Sequence, residues 1–381
     1  MANNNSYELG AKSALQEAFE TLVANEPRFI SLVAIGSKAT STKEEWIEDY
    51  FSPTSTTITA VSGSGTGTTI TVASATGIQV GEILSFETSA GIDREELVRV
   101  SAINGNDLTV IRNFGSYIAS PATLVATDKV QSVSKPKNEG TTAVAGDGRM
   151  PSKNFNYTQI FDRTAMVSKT AQQMKYDGVG NLMGQQLKYK LQEIAYEMNN
   201  ALIRGVRTER TASNEGTMGG VLSYLKGGNV VNGASSALSA TMINDALQAC
   251  FADGALSSRF VLLCNETQAR RISKFNTTGS NPLVLRDSGD KTSGGYISTF
   301  VGDLPVKGGF TATVAVEPLF PKDKVALLDL SQLELAPLRE FDTIDATVAG
   351  ADYEARRIIG EYTLRVRNGK YGHALISNLT V

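Results

Sequence analysis

A single histidine, His373, among 381 residues leaves no basis for Ser-His, Cys-His or poly-His metal chemistry. The two cysteines, Cys250 and Cys264, are too few and too isolated for a disulfide framework or a zinc site, and read as small core hydrophobes. No apolar run approaches the roughly 20 residues of a membrane span. The opening MANNNSYELG has neither a basic nor an apolar leader segment, so the chain is expected to stay in a cytosol. Neither sign of charge dominates, since 36 Lys and Arg face 39 Asp and Glu. A protein that grips nucleic acid tightly shows a basic face, and none is legible here.

What is present is globular in balance, 41% hydrophobic and 20% charged, and long enough for two or three modest domains. Leu9, Leu15, Ala18, Phe19 and Leu22 recur at helical intervals and predict an amphipathic helix over residues 7 to 24. From Pro27 to Phe51 the pattern is extended and ends in Glu44, Glu45, Glu48 and Asp49 around Trp46, which reads as an arm. Residues 53 to 127 then turn to Thr, Ser, Val and Gly with period-two alternation, the mark of a small all-β inserted domain. Its clearest hairpin joins Val98–Ile103 to Leu108–Ile111 through Asn104-Gly105-Asn106-Asp107. Residues 129 to 165 are polar and punctuated by Pro136, Gly140, Gly146 and Gly148, predicting a long extended loop with no core of its own.

The longest helical pattern runs from Ser168, a candidate N-cap, to Ile203, with Gly205 as terminator. Glycines at 178, 180 and 184 break its first half, so the continuous helix is expected from about Met183. Further helices are predicted over Thr241–Phe251 and Glu266–Phe275, flanking a buried strand at Phe260–Cys264. A polar, Gly-rich loop spans Asn276–Gly295, and closing strands are expected at Val325–Leu330, Leu333–Leu338, Ile358–Val366 and His373–Leu379.

Motifs that could carry chemistry fall short. Gly63-Ser-Gly65-Thr-Gly67 lacks the Gly-Lys-Ser/Thr ending of a phosphate loop and reads as a hairpin loop. Gly178, Gly180 and Gly184 miss the dinucleotide spacing by one residue and follow no strand. Asp287, Asp290 and Asp303 have no calcium-loop spacing and read as solvated loop charges. Arg204, Arg207, Arg210, Arg270 and Arg271 are interleaved with Glu209 and Glu266, as in salt-linked helix ends.

The ordered segments Phe29-Ile30-Ser31-Leu32, Glu45-Trp46-Ile47-Glu48-Asp49, Glu139-Gly140, Asn156-Tyr157-Thr158-Gln159-Ile160-Phe161, Leu327-Leu328-Asp329, Leu338-Arg339-Glu340-Phe341 and Gly360-Glu361-Tyr362-Thr363-Leu364 resemble major capsid proteins of tailed bacteriophages with the Hong Kong 97 type fold. The resemblance covers nearly the whole chain. It implies an α+β fold with an N-terminal arm (1–45) and an E-loop (46–165) that holds the β insertion (53–127). It also implies a spine helix of the peripheral domain (166–215), a mainly axial region (216–335) and a peripheral-domain sheet (336–381). It further implies a non-enzymatic subunit with no cofactor or metal. Such subunits form hexamers and pentamers of an icosahedral head around weakly contacted double-stranded DNA, after assembly in the host cytoplasm. Scaffolding, portal and decoration proteins are the further partners expected. Candidate inter-subunit contacts are Trp46, Glu48, Arg149, Phe155, Tyr157 and Arg286. The Thr/Ser-rich β unit keeps a second reading open, a carbohydrate-binding or adhesin-type protein of the virion surface, and a carboxylate-only hydrolase ranks last.

Overall fold

The chain divides into two compact units, residues 1–48 with 152–381, and residues 49–151. The computed structural model describes residues 27–49, 55–115, 118–137, 139–140, 151–174, 181–254, 259–275, 299–303 and 310–381. The helix expected over residues 7–24 and the loop at 276–295 lie outside the described residues.

The arm contributes a single turn α1 (Phe29–Leu32), a two-residue strand β1 (Ala34–Ile35) and strand β2 (Lys43–Glu48). Six strands of the smaller unit follow: β3 (Ser55–Val61), β4 (Thr69–Val72), β5 (Ile83–Glu87), β6 (Asp93–Asn104), β7 (Asp107–Ile111) and β8 (Lys129–Ser134). They close into a barrel in the order β3-β4-β7-β6-β5-β8, and closure removes the sheet edges such short strands would otherwise expose. Inward residues, among them Ile58, Ile70, Leu84, Phe86, Val98 and Leu108, fill it as a core of its own. In the β6–β7 hairpin Gly105 takes φ +60° as the first of two loop residues, the II′ arrangement that suits the strand twist. The barrel does not end near Thr127, because β8 pairs with both β3 and β5 and is the strand that closes it. Val130 is the inward residue there, and alternation around one Val in a polar stretch gave too weak a sequence signal.

The larger unit resumes with β9 (Ser152–Tyr157), β10 (Gln159–Ser168), α2 (Lys169–Gln173) and α3 (Leu182–Arg204). Ser168 caps α2 by accepting from the Ala171 N–H, and Asn181 caps α3 through the Gly184 N–H, so the expected single helix starts twice. Continuous helix from Leu182 to Arg204, followed by Gly205, matches the expected start near Met183 and its terminator. After it come α4 (Val221–Leu225), β11 (Asn229–Ser236), α5 (Ala240–Ala252), β12 (Arg259–Cys264) and α6 (Glu266–Lys274). The chain ends with β13 (Thr299–Val301), β14 (Thr311–Val316), β15 (Val325–Leu328), β16 (Leu333–Asp345), β17 (Tyr353–Val366) and β18 (Ala374–Leu379).

Two sheets organise this unit, one of four strands in the order β1-β16-β17-β10 and one of six in the order β11-β18-β15-β12-β14-β13. Ile194, Met198 and Leu202 of α3 pack with Phe161, Ile358 and Leu364 of the four-stranded sheet, the burial that an apolar stripe at three-and-four spacing demands. The segment 129–165 therefore does find partners inside its own chain: β8 completes the barrel, and β10 pairs with β17 and buries Phe161, Ala165 and Val167. Likewise 336–381 is not one sheet, since β18 lies between β11 and β15 in the six-stranded one.

Candidate functional site

Where the chain leaves the larger unit and returns to it, β2 pairs with β9 in a two-stranded ribbon, Lys43 opposite Tyr157 through Glu48 opposite Ser152. A lone hairpin of this size is marginal in water, so its stability must come from the side it buries. Alternation places Glu44, Trp46 and Glu48 with Asn156, Asn154 and Ser152 on one face, and Lys43, Glu45 and Ile47 with Tyr157, Phe155 and Lys153 on the other.

Polar contacts of high specificity hold the first face. Arg365, near the C-terminal end of β17, donates from Nη2 to Glu44 Oε1 at 2.7 Å, and from Nη1 to Ser37 Oγ at 2.8 Å and Glu334 Oε2 at 3.3 Å. One guanidinium thus joins arm, ribbon and sheet, with its planar fork matched to oxygens on several elements. Asn156 is fully buried; its Nδ2 donates to Gly219 O at 3.0 Å and Leu364 O at 2.7 Å, while its Oδ1 accepts from the Gly219 N–H at 2.7 Å. Thr158 Oγ1 donates to Glu361 Oε1 at 2.6 Å, and Arg210 Nη2 reaches the same oxygen at 3.0 Å.

Trp46 is buried against Tyr224, with ring centroids 6.1 Å apart, and its indole N–H donates to Glu48 Oε1 at 2.7 Å. The Asn368 N–H donates to the same carboxylate oxygen at 3.0 Å. On the other face Phe155 meets Tyr157 edge to face at 5.5 Å, and Lys43 Nζ and the Arg207 guanidinium lie 4.6 and 4.9 Å from the Phe155 centroid. Hydrogen bonding to Glu45 raises the Lys43 pKa above its ordinary value. Tyr224 donates its hydroxyl to Phe155 O at 2.9 Å, and burial raises its pKa. Four of the six expected contact residues, Trp46, Glu48, Phe155 and Tyr157, thus gather on one ribbon, while Arg149 and Arg286 lie outside the described residues.

The arm is anchored by a residue the sequence did not mark. Glu317 is fully buried, and its Oε2 accepts the N–H groups of Arg28 at 2.8 Å and Phe29 at 2.6 Å. Asn199, on the buried side of α3, accepts the Ile30 N–H at 2.9 Å. These partners lie 169 to 289 residues away in sequence, beyond any local pattern. A polar residue inside an apolar stripe, as at Asn199, or inside an apolar strand, as at Arg365, is the only local sign of such anchors.

The remaining motifs take structural places. The Gly63–Gly67 loop is held from within the barrel: Arg112 donates to Gly67 O at 2.9 Å and pairs through two nitrogens with the buried Glu96 at 2.8 and 2.6 Å. Asp303 is exposed, and Asp287 and Asp290 lie outside the described residues. Arg204 donates to Leu319 O and Arg271 to Thr380 O, each tying two segments of the chain together. His373 is buried; its Nδ1 accepts the Asp329 N–H at 3.1 Å and its Nε2 lies 3.1 Å from Arg367 O. Burial pushes the thiols of Cys250 and Cys264 up to about 12, so both stay protonated and unreactive. Among the described residues no group of three or more His, Cys, Asp or Glu is placed to hold a metal.

Among solved structures the chain is similar to the Cyanophage A-1(L) capsid asymmetric unit, at 13% identity and TM-score 0.52 over 98% of each chain. The capsid of Myoviridae Phage XM1 aligns at 11% identity and TM-score 0.50, also over 98% of each chain. The capsid of the native GTA particle aligns at 9% identity and TM-score 0.50, over 99% of this chain and 97% of that one. At such identities the likeness is one of fold, which is the Hong Kong 97 type with an added β barrel. No curated protein matches the sequence. The SU10 major capsid protein family matches residues 3–380, so the chain belongs to that family and is a structural, self-assembling capsid subunit of a virion, not an enzyme.

Proposed function

We propose that copies of this subunit form the hexamers and pentamers of an icosahedral phage head that encloses double-stranded DNA, with assembly in the host cytoplasm. The observation that carries the reading is the ribbon at the E-loop root. Arg365, Asn156 and Trp46 fix its inner face to the core, while its outer face, with Phe155 and Tyr157 only partly buried and Ile47 exposed, stays available to a neighbour. Such a clamped ribbon holds Phe155 and Tyr157 in set positions for an adjacent subunit. Phe155 and Tyr157 are the contact residues of this proposal, Trp46 and Glu48 hold them in place, and Arg149 and Arg286 remain contact candidates.

The overall charge of −3 suits a shell that surrounds DNA without adhering to it. Scaffolding, portal and decoration proteins are the further partners this reading calls for. Expression of the chain, with a scaffold supplied where needed, followed by sedimentation and electron microscopy, tests it. Closed shells with five- and six-fold capsomers support it, and a monomer at every concentration overturns it.

A further inference from the structure

Exposed sheet edges invite pairing with other chains, and folded proteins blunt them by shortness, bulges, charge or side-chain cover. Most edges of the larger unit show one of these devices. β1 is two residues long and β13 three. β11 is interrupted between Asn232 and Ser236, where Ala234 and Ser235 take φ of +48° and +60°. β16 shifts register twice between Pro337 and Asp342, on the stretch beyond its pairing with β1. The outward backbone of β9 is covered by side chains: Asn154 and Asn156 accept the N–H groups of Phe155 and Tyr157, and Arg207, Tyr224 and Thr363 donate to their carbonyls.

β10 is neither short nor bulged, its outward backbone has side-chain cover at one carbonyl only among the described residues, and its acidic residue is neutralised by an ion pair. It is ten residues long, holds neither Pro nor Lys, and pairs with β17 in unbroken register from Gln159 opposite Tyr362 to Ser168 opposite Tyr353. The Lys169 N–H donates to Asp352 O, which sets the antiparallel alternation. The odd-numbered residues therefore bond to β17, and the N–H groups of Ile160, Asp162, Thr164 and Met166 point away from it. Among the described residues those four N–H groups meet no acceptor, and of their carbonyls only that of Asp162 has a donor, Arg163 Nη1 at 3.2 Å. Ile160 and Met166 are 40% and 51% exposed on the same strand, so an added strand would bury apolar side chains as well as pair backbone. The one acidic side chain there, Asp162, is already paired with Arg357 at 2.9 Å, leaving the edge without net charge to repel an incoming chain.

We propose that β10 is the docking edge for an extended segment of a second copy of this chain, which adds to the four-stranded sheet as a fifth strand when the shell assembles. The proposal rests on self-assembly of the subunit. A second copy is the occupant because a capsid subunit has copies of itself as lateral neighbours and because the chain supplies extended backbone of its own. On β2, for example, the outward-pointing Glu45 and Ile47 have no backbone partner among the described residues, and Ile47 is 66% exposed. Strand addition joins two different surfaces, donor and edge, and such head-to-tail contacts are the kind that close rings.

Residue-resolved hydrogen exchange on assembled shells and on dissociated subunits tests this. The N–H groups of Ile160, Asp162, Thr164 and Met166 should exchange fast in the subunit and slow by roughly 100-fold or more in the shell, while Phe161 and Ala165 stay protected in both. Two variants accompany it: T164P, which removes an N–H that the chain's own sheet does not use, and M166K, which blunts the edge with charge. Both should lower shell yield about tenfold or more with subunit unfolding temperature retained, and M166K decides alone where T164P fails to fold. Equal exchange in shell and subunit, protection already present in the subunit, or wild-type yield from M166K overturns the proposal. Shells that form normally with these N–H groups unprotected would remove the docking edge and leave the capsid function standing.

Discussion

Arg365 and Glu44, 321 residues apart in sequence, meet at 2.7 Å with their side chains only 7% and 11% exposed, so the β2–β9 ribbon is pinned to the C-terminal end of β17 by an enclosed ion pair. Glu44 also accepts the Thr40 N–H at 3.3 Å, and Glu334 takes the other nitrogen of the guanidinium and Arg367 Nη2 at 3.1 Å. Removing one partner strands a desolvated charge. R365A or E44A is expected to destabilise the subunit by about 3–5 kcal/mol, read by urea unfolding, whereas the double variant R365M/E44L recovers much of the loss because no lone charge remains. Equal losses in single and double variants would contradict this account.

The Arg112–Glu96 pair does the same for the barrel. Glu96 accepts from Arg112 and from the N–H groups of Asn113 and Ala122, both at 3.0 Å, and Arg112 Nη2 also donates to Ala122 O at 2.6 Å. Lys in place of Arg112 keeps the charge and loses the planar fork. R112K is therefore expected to loosen the barrel. Limited proteolysis of the full chain should cut within residues 55–134 several times faster than in the parent, with the larger unit still resistant.

Burial holds the His373 imidazole below its ordinary pKa of 6.5. The folded state therefore takes up this proton less readily than the unfolded state. The associated stability is present above pH 6.5 and is lost as pH falls from there toward the depressed folded value. Unfolding temperature should drop between pH 7 and pH 5 in the parent. It should drop less steeply in H373Q, which keeps an acceptor but cannot titrate, and parallel profiles would show that other groups carry the acid sensitivity.

Asn156 uses both ends of its amide, donating twice and accepting from Gly219 and Tyr157. N156A leaves several buried backbone groups without partners and is expected to cost about 2–4 kcal/mol. N156D, nearly the same in shape, is expected to be no better, because a carboxylate cannot donate to the carbonyls of Gly219 and Leu364. Thermal unfolding of both variants checks this. A benign N156D would mean that packing, not hydrogen bonding, is what the side chain contributes.

Much of the architecture is legible in local pattern. The apolar stripe Ile194–Met198–Leu202 marks α3, although Gly184 lies within that helix and does not break it, and Thr/Val alternation marks the barrel and its Gly105 hairpin. The polar stretch 129–165 misleads, because strands that bury only one residue in two, or that hydrogen-bond through Asn and Thr side chains, carry little apolar signal. β10 shows this: Phe161, Ala165 and Val167 are its only fully buried apolar residues, and they are enough to seat it on α3 and beside β17.

By itself, the sequence determined an α+β chain with a β insertion and too little His and Cys for their usual catalytic and metal arrangements, because helical and strand periodicity, turn chemistry and composition are all local properties; the capsid reading came from the resemblance of its ordered segments. Tertiary structure alone decided where residues 28–30 and the β2–β9 ribbon are fastened. Glu317 reaches Arg28 and Phe29, Arg365 reaches Glu44, and β10 takes the end of the four-stranded sheet through contacts and orders that span hundreds of residues. Long-range pairing of this kind leaves no periodicity behind, since one buried carboxylate or guanidinium among apolar neighbours looks the same in sequence whichever distant group it will meet.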